Sequence, residues 1–316
     1  MTIRPIRPED YAAVARIWNE VYPSDSYTAE EFARLDAMFE PPQRFARFVA
    51  EVEGEVVGSS NYAQFAGMYH PQKFMTNVFV DPEFERQGIG GALYTFLLEQ
   101  LAPFDPISLR AKVRENLPHA IAFAEQRGFQ EDKRDWEAVL DVSAFDPEAF
   151  AGLEAKLASQ GIVLMTFLEY GITPDSEQAF HEFFSEVRLD IPRSEPATPL
   201  TFQNFRTMMF DAPDYFAEGV FFAIEDNDII GMTMFWKSEG TPKLFTGLTA
   251  VRRPYRGQGI ATALKVRALT YAQERGVPEV YTDNDTRNIE MITVNDKLGF
   301  RRLPAWLGMV NVLQEA

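Results

Sequence analysis

The 316-residue sequence contains no cysteine. That absence excludes a disulfide framework, a thiolate zinc site and a cysteine nucleophile. Histidine is nearly as scarce. His70, His119 and His181 are the whole supply, no two of them at metal-ligand spacing, so no metal is expected. Lys and Arg number 30 against 47 Asp and Glu, a formal net charge of -17. So acidic a chain repels phosphate backbones and anionic lipid. Nucleic acid and membranes are therefore not expected as partners, whereas a cationic amine would be attracted. No run reaches the roughly 18 apolar residues of a membrane span. The opening Met1–Asp10 lacks the apolar stretch of a signal peptide, so the expectation is a cytoplasmic protein.

What is present is a repeat. Arg86-Gln87-Gly88-Ile89-Gly90-Gly91-Ala92-Leu93 in the first half answers Arg256-Gly257-Gln258-Gly259-Ile260-Ala261-Thr262-Ala263-Leu264 in the second. Aligning Gly88 with Gly259 gives an offset of 171 residues (259 minus 88), and Phe129 with Phe300 gives 171 again (300 minus 129). Upstream, Gly58 and Gly231 close matching segments at 173 (231 minus 58). Two copies at so long a period point to a duplicated domain and not to a solenoid. We place the boundary near residue 147, giving domains 1–147 and 148–316.

Each half shows a similar order of predicted elements. In the first they are a strand over residues 2–6, helices over 12–21 (with Asp10 as N-cap) and 28–39, and a hairpin of 48–52 with 56–65. A strand at 74–80 then leads through the glycine loop to a helix ending near 101, with strand 108–113, helix 118–126 and strand 136–142 following. In the second they are strand 162–168, helices 177–187 and 201–208, and a hairpin of 221–225 with 229–236. Strand 244–251, the loop and its helix to about 275, strand 279–283, helix 289–298 and strand 307–312 complete it. The aromatic cluster from Phe202 to Phe222 reads either as packing or as the wall of an apolar pocket.

In both halves a strand runs into a glycine-rich turn that opens a helix. Free backbone N–H groups and the helix dipole then converge on one point, a ready anion site. Neither copy has the Gly-x-Gly-x-x-Gly of a dinucleotide site or the Gly-Lys-Ser/Thr of a P-loop. Val251 followed by Arg256-x-x-Gly259-x-Ala261, and downstream Asn288-x-x-Met291-x-x-Val294-Asn295-x-x-Leu298-Gly299-Phe300, resemble two linked motifs of the GNAT N-acetyltransferase superfamily. The first half resembles them through Val80-Asp81-Pro82, Gly88-x-Gly90, Asn116 and Phe123–Phe129. The chain thus looks like a tandem GNAT protein of the mycothiol-synthase kind.

The resemblance implies an α/β (α+β) fold of two GNAT domains in tandem, each a mixed, twisted sheet that splays beside its fourth strand and is flanked by helices. It implies acetyl-CoA, or another short acyl-CoA, as cofactor. Pantetheine would lie on Leu248, Thr249 and Val251. The pyrophosphate would lie on Arg256, Gly257, Gln258, Gly259, Ile260, Ala261 and Thr262. Asn284, Asn288 and Asn295 join this cofactor-binding set. The matching residues of the first half are Val78, Phe79 and Val80, then Arg86, Gln87, Gly88, Ile89, Gly90, Gly91 and Ala92, then Asn116. A monomer or a homodimer would suit two fused domains.

Two departures separate the halves from the family and from each other. Glu85 stands where the family has Gln or Arg, and a carboxylate beside a pyrophosphate is unfavourable. This makes the carboxy-terminal domain the better candidate for cofactor binding and activity. Many relatives place a tyrosine near the sulfur, but this chain has Asn295 and Ala124 there. Neither fourth strand carries a carboxylate, so Asp283 is the candidate general base, with a polar turn as its plainer reading. The function implied is acetyl transfer from acetyl-CoA to the amine of a small acceptor by direct attack. A non-catalytic acyl-CoA-binding protein and transfer to protein amines stand as alternatives.

Overall fold

The computed structural model describes residues 1–23, 25–193, 195–238 and 241–314. The chain divides into two compact units. One comprises Met1–Lys133, Glu195–Thr198 and Leu307–Ala316, the other Arg134–Ser194 and Pro199–Trp306.

The first unit opens with strand β1 (Thr2–Pro5), helices α1 (Tyr11–Val21) and α2 (Ala29–Ala37) and the hairpin β2 (Phe45–Val52) and β3 (Glu55–Ala63). Then come β4 (Lys73–Val80), α3 (Ile89–Leu101), β5 (Ser108–Arg114), α4 (Pro118–Glu125) and β6 (Gln130–Asp141), which runs on into the second unit. Helix α2 starts at a capping box, the Thr28 hydroxyl accepting from Glu31 N–H while the Glu31 carboxylate accepts from Thr28 N–H. Asp10 does not cap α1 as the sequence predicts. Its carboxylate turns back to accept from Arg7 N–H at 2.7 Å and grips Arg4 at 2.7 and 3.0 Å. A charge-assisted pair outcompetes a cap for a buried carboxylate.

Strands β1 to β4 are antiparallel neighbours, and β4 runs parallel to β5. That last pairing holds only from Lys73↔Ser108 to Met75↔Arg110. Beyond Met75 the strands part, so the main chain of Thr76–Val80 is paired to β3 on one edge and, among the described residues, has no strand on the other. One apolar cluster around Phe48, Phe74, Leu97, Leu101 and Leu109 fixes α3 on this sheet.

The second unit contains α5 (Leu153–Ala158), β7 (Val163–Thr166), α6 (Phe167–Tyr170), α7 (Pro174–Val187), α8 (Phe202–Met209), β8 (Val220–Glu225) and β9 (Asp228–Lys237). It continues with β10 (Leu244–Thr246), β11 (Ala250–Val251), α9 (Ile260–Glu274), β12 (Glu279–Asp285), α10 (Ile289–Lys297) and β13 (Arg301–Arg302), and β14 (Trp306–Val312) closes the chain. Its sheet order is β6-β12-β10-β9-β8-β7. Two expectations need correction. The strand predicted over 162–168 stops at Thr166, because a capping box between Thr166 and Glu169 starts a helix there. The strand predicted over 244–251 is broken at Gly247, whose N–H bonds to Met234 O at 2.8 Å while a Cβ would lie 2.6 Å from Trp236 Nε1. Only Leu244 and Phe245 pair with β12, so this sheet also splays.

The aromatic cluster is packing. Phe167, Phe180, Phe183, Phe205 and Phe222 are buried together with Met209, Met232 and Met234. Strand β14 returns to the first unit and lies beside β5, where Leu313 N–H bonds to Ile107 O at 2.9 Å.

Candidate functional site

Helix α3 opens at Gly88, whose φ of 86° is the left-handed conformation glycine adopts most readily. A Cβ there would meet nothing within 4 Å, so no side chain stands against that position of the loop. Directly above lies a cavity of about 410 Å³, within the range of small-ligand sites. Val78, Phe79 and Val80 of the splayed edge, Arg86 and Gly88 of the loop, Gly90 and Gly91 of the first turn of α3, and Phe123 of α4 line it. The structure thus brings together most of the first-half residues the sequence selects. Gln87 donates to Glu83 O at 3.5 Å, Ile89 is buried beneath the loop, and Ala92 N–H bonds to Gly88 O. Asn116 is exposed at the end of β5 and is not among the lining residues.

Glu85 also lines the cavity, with its Oε1 3.5 Å from His119 Nε2. Arg127 lies flat on the Phe123 ring, 3.4 Å from its centre, and adds a second cation beside Arg86.

The second loop has the same backbone. Gly259 caps α9 at φ 90°, and Gln258 donates to Pro254 O at 3.5 Å, as Gln87 does to Glu83 O. Its surroundings differ. The Asp190 carboxylate accepts from Arg253 Nε at 3.1 and 3.2 Å and from Arg256 Nη2. Bonds from Arg253 and then Arg256 hold the Asp190 carboxyl down at about 2. Arg252 pairs with Glu186 at 3.0 Å. Leu153 Cδ1 stands 3.2 Å from where a Cβ on Gly259 would be, whereas Gly257 has nothing within 4 Å. Ile260 is buried, and Ala261 and Thr262 are half-buried on the first turn of α9.

The remaining second-half candidates fall in three places. Leu248 packs on the aromatic core, Thr249 Oγ1 lies 2.7 Å from Thr233 Oγ1, and Val251 is buried. Asn295 Nδ2 donates to Asn284 Oδ1 at 2.6 Å, and the Asn288 side chain caps α10 through Met291 N–H. Asp283 is exposed on β12 opposite Glu137 of β6, while its neighbour Asp285 grips Arg287.

Tyr22, at the end of α1, lines the first cavity and was not singled out by the sequence. Burial pushes its phenol up to about 12, so it keeps its proton across the physiological range. The family motif directs attention to α4 for a tyrosine. The signal that could have found this one was an aromatic residue ending the helix that faces the splay.

The acetyltransferase (GNAT) family matches residues 11–129 and 180–300 of the chain. The chain belongs to the GNAT acetyltransferase family. Its two matched segments are two GNAT domains in tandem. A tandem GNAT protein from the clavulanic acid biosynthesis pathway superposes at a TM-score of 0.76 with 24% identity, covering 100% of this chain and 99% of its own. A GCN5-related N-acetyltransferase from Sphaerobacter thermophilus gives 0.74 with 22% identity, over 100% and 96%. At these identities the likeness carries the fold. Among curated proteins, N-alpha-acetyltransferase 30 of Schizosaccharomyces pombe is 26% identical over 134 residues, 42% of this chain and 83% of the relative. Among the described residues, no helix of this GNAT protein is long and apolar enough to cross a membrane.

Proposed function

We propose that the protein transfers an acetyl group from acetyl-CoA to the amine of a small acceptor, and that the acyl-CoA is held by the first domain. The observation that carries this reading is the cavity over Gly88, bounded by the strandless edge of β4. The sequence favoured the second domain because of Glu85. The geometry supports the first, since a cavity lies over its loop and Glu85 has His119 beside it. We keep 1–147 and 148–316 as the two copies of the duplicated domain.

The residues present fit the coenzyme. The edge of Val78–Val80 offers main-chain N–H and C=O groups in the spacing a second strand would use, which suits the amides of pantetheine. The amides from Gly88 to Ala92, at the positive end of α3, would hold the diphosphate, with Arg86 and Arg127 adding positive charge. Bound there, acetyl-CoA would supply an activated thioester. A β4 N–H would polarise its carbonyl. The Tyr22 phenol, protonated at neutral pH, would return a proton to the departing sulfur. Strand β4 carries no carboxylate, so the acceptor amine would lose its proton to water in the cleft. The chain's net charge of -17 favours a cationic acceptor.

Labelled acetyl-CoA incubated with a panel of small amines tests the reading. Transfer to at least one amine that is lost in Gly90→Glu and kept in Gly259→Glu is the expected result. Binding of acetyl-CoA with no transfer to any amine would overturn the catalytic claim. Binding lost only in Gly259→Glu would overturn the assignment to the first domain.

A further inference from the structure

The two glycine loops share a backbone but not an environment. At Gly88 a side chain would meet nothing within 4 Å; at Gly259 it would meet Leu153 Cδ1 at 3.2 Å. Above the first loop is a cavity of about 410 Å³. Beside the second, two of the loop's three guanidinium groups, Arg253 and Arg256, are already bound by the carboxylate of Asp190, which follows α7, and the third, Arg252, pairs with Glu186.

An anion is drawn to a helix start by free amides and nearby cations. At the second loop the cations are already paired with carboxylates on the same chain, which are present at high effective concentration and need not be recruited from solution. A diphosphate arriving there would meet a like charge at close range and would have to displace it. Leu153 Cδ1 meanwhile lies 3.2 Å from where a Cβ on Gly259 would stand.

We propose that Asp190 closes the second loop against acyl-CoA, so that each chain binds one acyl-CoA, in its first domain. This rests on the assignment of the cofactor to the first domain and adds the device that silences the second. The two loops then have different tasks. One holds a coenzyme, and the other is an internal ion-pair joint.

Calorimetric titration of the full chain with CoA tests it. The wild type should bind one CoA, and Gly90→Glu should bind none. Asp190→Ala and the near-isosteric Asp190→Asn should each bind two, and the Asp190→Asn, Gly90→Glu double variant one. Far-UV circular dichroism and melting confirm that each variant is folded. A wild type that binds two, or folded Asp190 variants that both stay at one while Gly90→Glu binds none, overturns this inference and leaves the first-domain assignment standing. Full binding by Gly90→Glu with loss in Gly259→Glu overturns the assignment itself.

Discussion

The Nζ of Lys265 lies 5.2 Å from the centre of the Phe300 ring, with no hydrogen-bond partner among the described residues. Lys265 is 2% exposed, and its burial outweighs the pull of Asp283 and pushes its ammonium down to about 7. Between that value and its ordinary 10.5, the unfolded chain holds a proton that the folded chain has released. Stability from this group therefore rises with pH across that window, at no more than about 1.4 kcal/mol per pH unit. Lys265→Met should be more stable than the wild type at pH 7, and the difference should shrink toward pH 10. Urea unfolding of both proteins at pH 7, 8.5 and 10 measures it. A constant difference would contradict the burial argument.

Arg47 and Asp36 form a two-pronged ion pair at 2.7 and 2.8 Å, with both side chains no more than 7% exposed. Asp36 also accepts from Tyr11 Oη, which ties α1 and α2 to β2. Removing one partner of a buried pair leaves the other uncompensated, at a cost of about 3–5 kcal/mol. Asp36→Ala should lose stability on that scale, and Asp36→Ala with Arg47→Met should recover part of it. A double-mutant cycle by chemical denaturation gives the coupling.

Replacing the Tyr22 phenol by Phe keeps the shape of the cavity wall and removes its proton. Under the proposed mechanism, Tyr22→Phe should lower kcat by up to about 100-fold, the low end for general acid catalysis because a thiolate leaves readily. The KM for acetyl-CoA should change little. A rise in KM with kcat unchanged would place Tyr22 in binding instead.

Gly247→Ala would drive a methyl group to 2.6 Å from Trp236 Nε1 and 2.9 Å from Met234 Cγ. Overpacking of this kind costs about 1–3 kcal/mol. The melting temperature should fall and the near-ultraviolet signal of tryptophan should change. An unaltered spectrum would mean that the break between β10 and β11 yields more readily than its packing suggests.

Much of this was legible in the sequence because the signals were local. Leu93, Phe96 and Leu97, at i, i+3 and i+4, mark one apolar face of α3, of which Leu93 and Leu97 are fully buried, and the repeated glycine turns mark both helix starts. What the sequence hid was decided by distant partners. Asp10 looks like a cap until Arg4 is beside it, and Asp190 looks like an ordinary helix-end residue until Arg253 and Arg256 reach it. Glu85 reads as a defect in a phosphate loop because His119, 34 positions on (119 minus 85), is brought next to it only by the fold. Tyr22 joined the cavity only when the chain brought α1 to the splayed edge of β4.

The place of β14 beside β5 has a bearing on how the protein is made. A ribosome that has delivered everything through Asp141 has supplied β4, β5 and the glycine helix, yet the neighbour that β5 requires is still untranslated. That strand edge must wait, exposed, for more than half of the message to be read. The sheet of the first unit therefore gains β14 only after residues 134–194 and 199–306 of the second have been made.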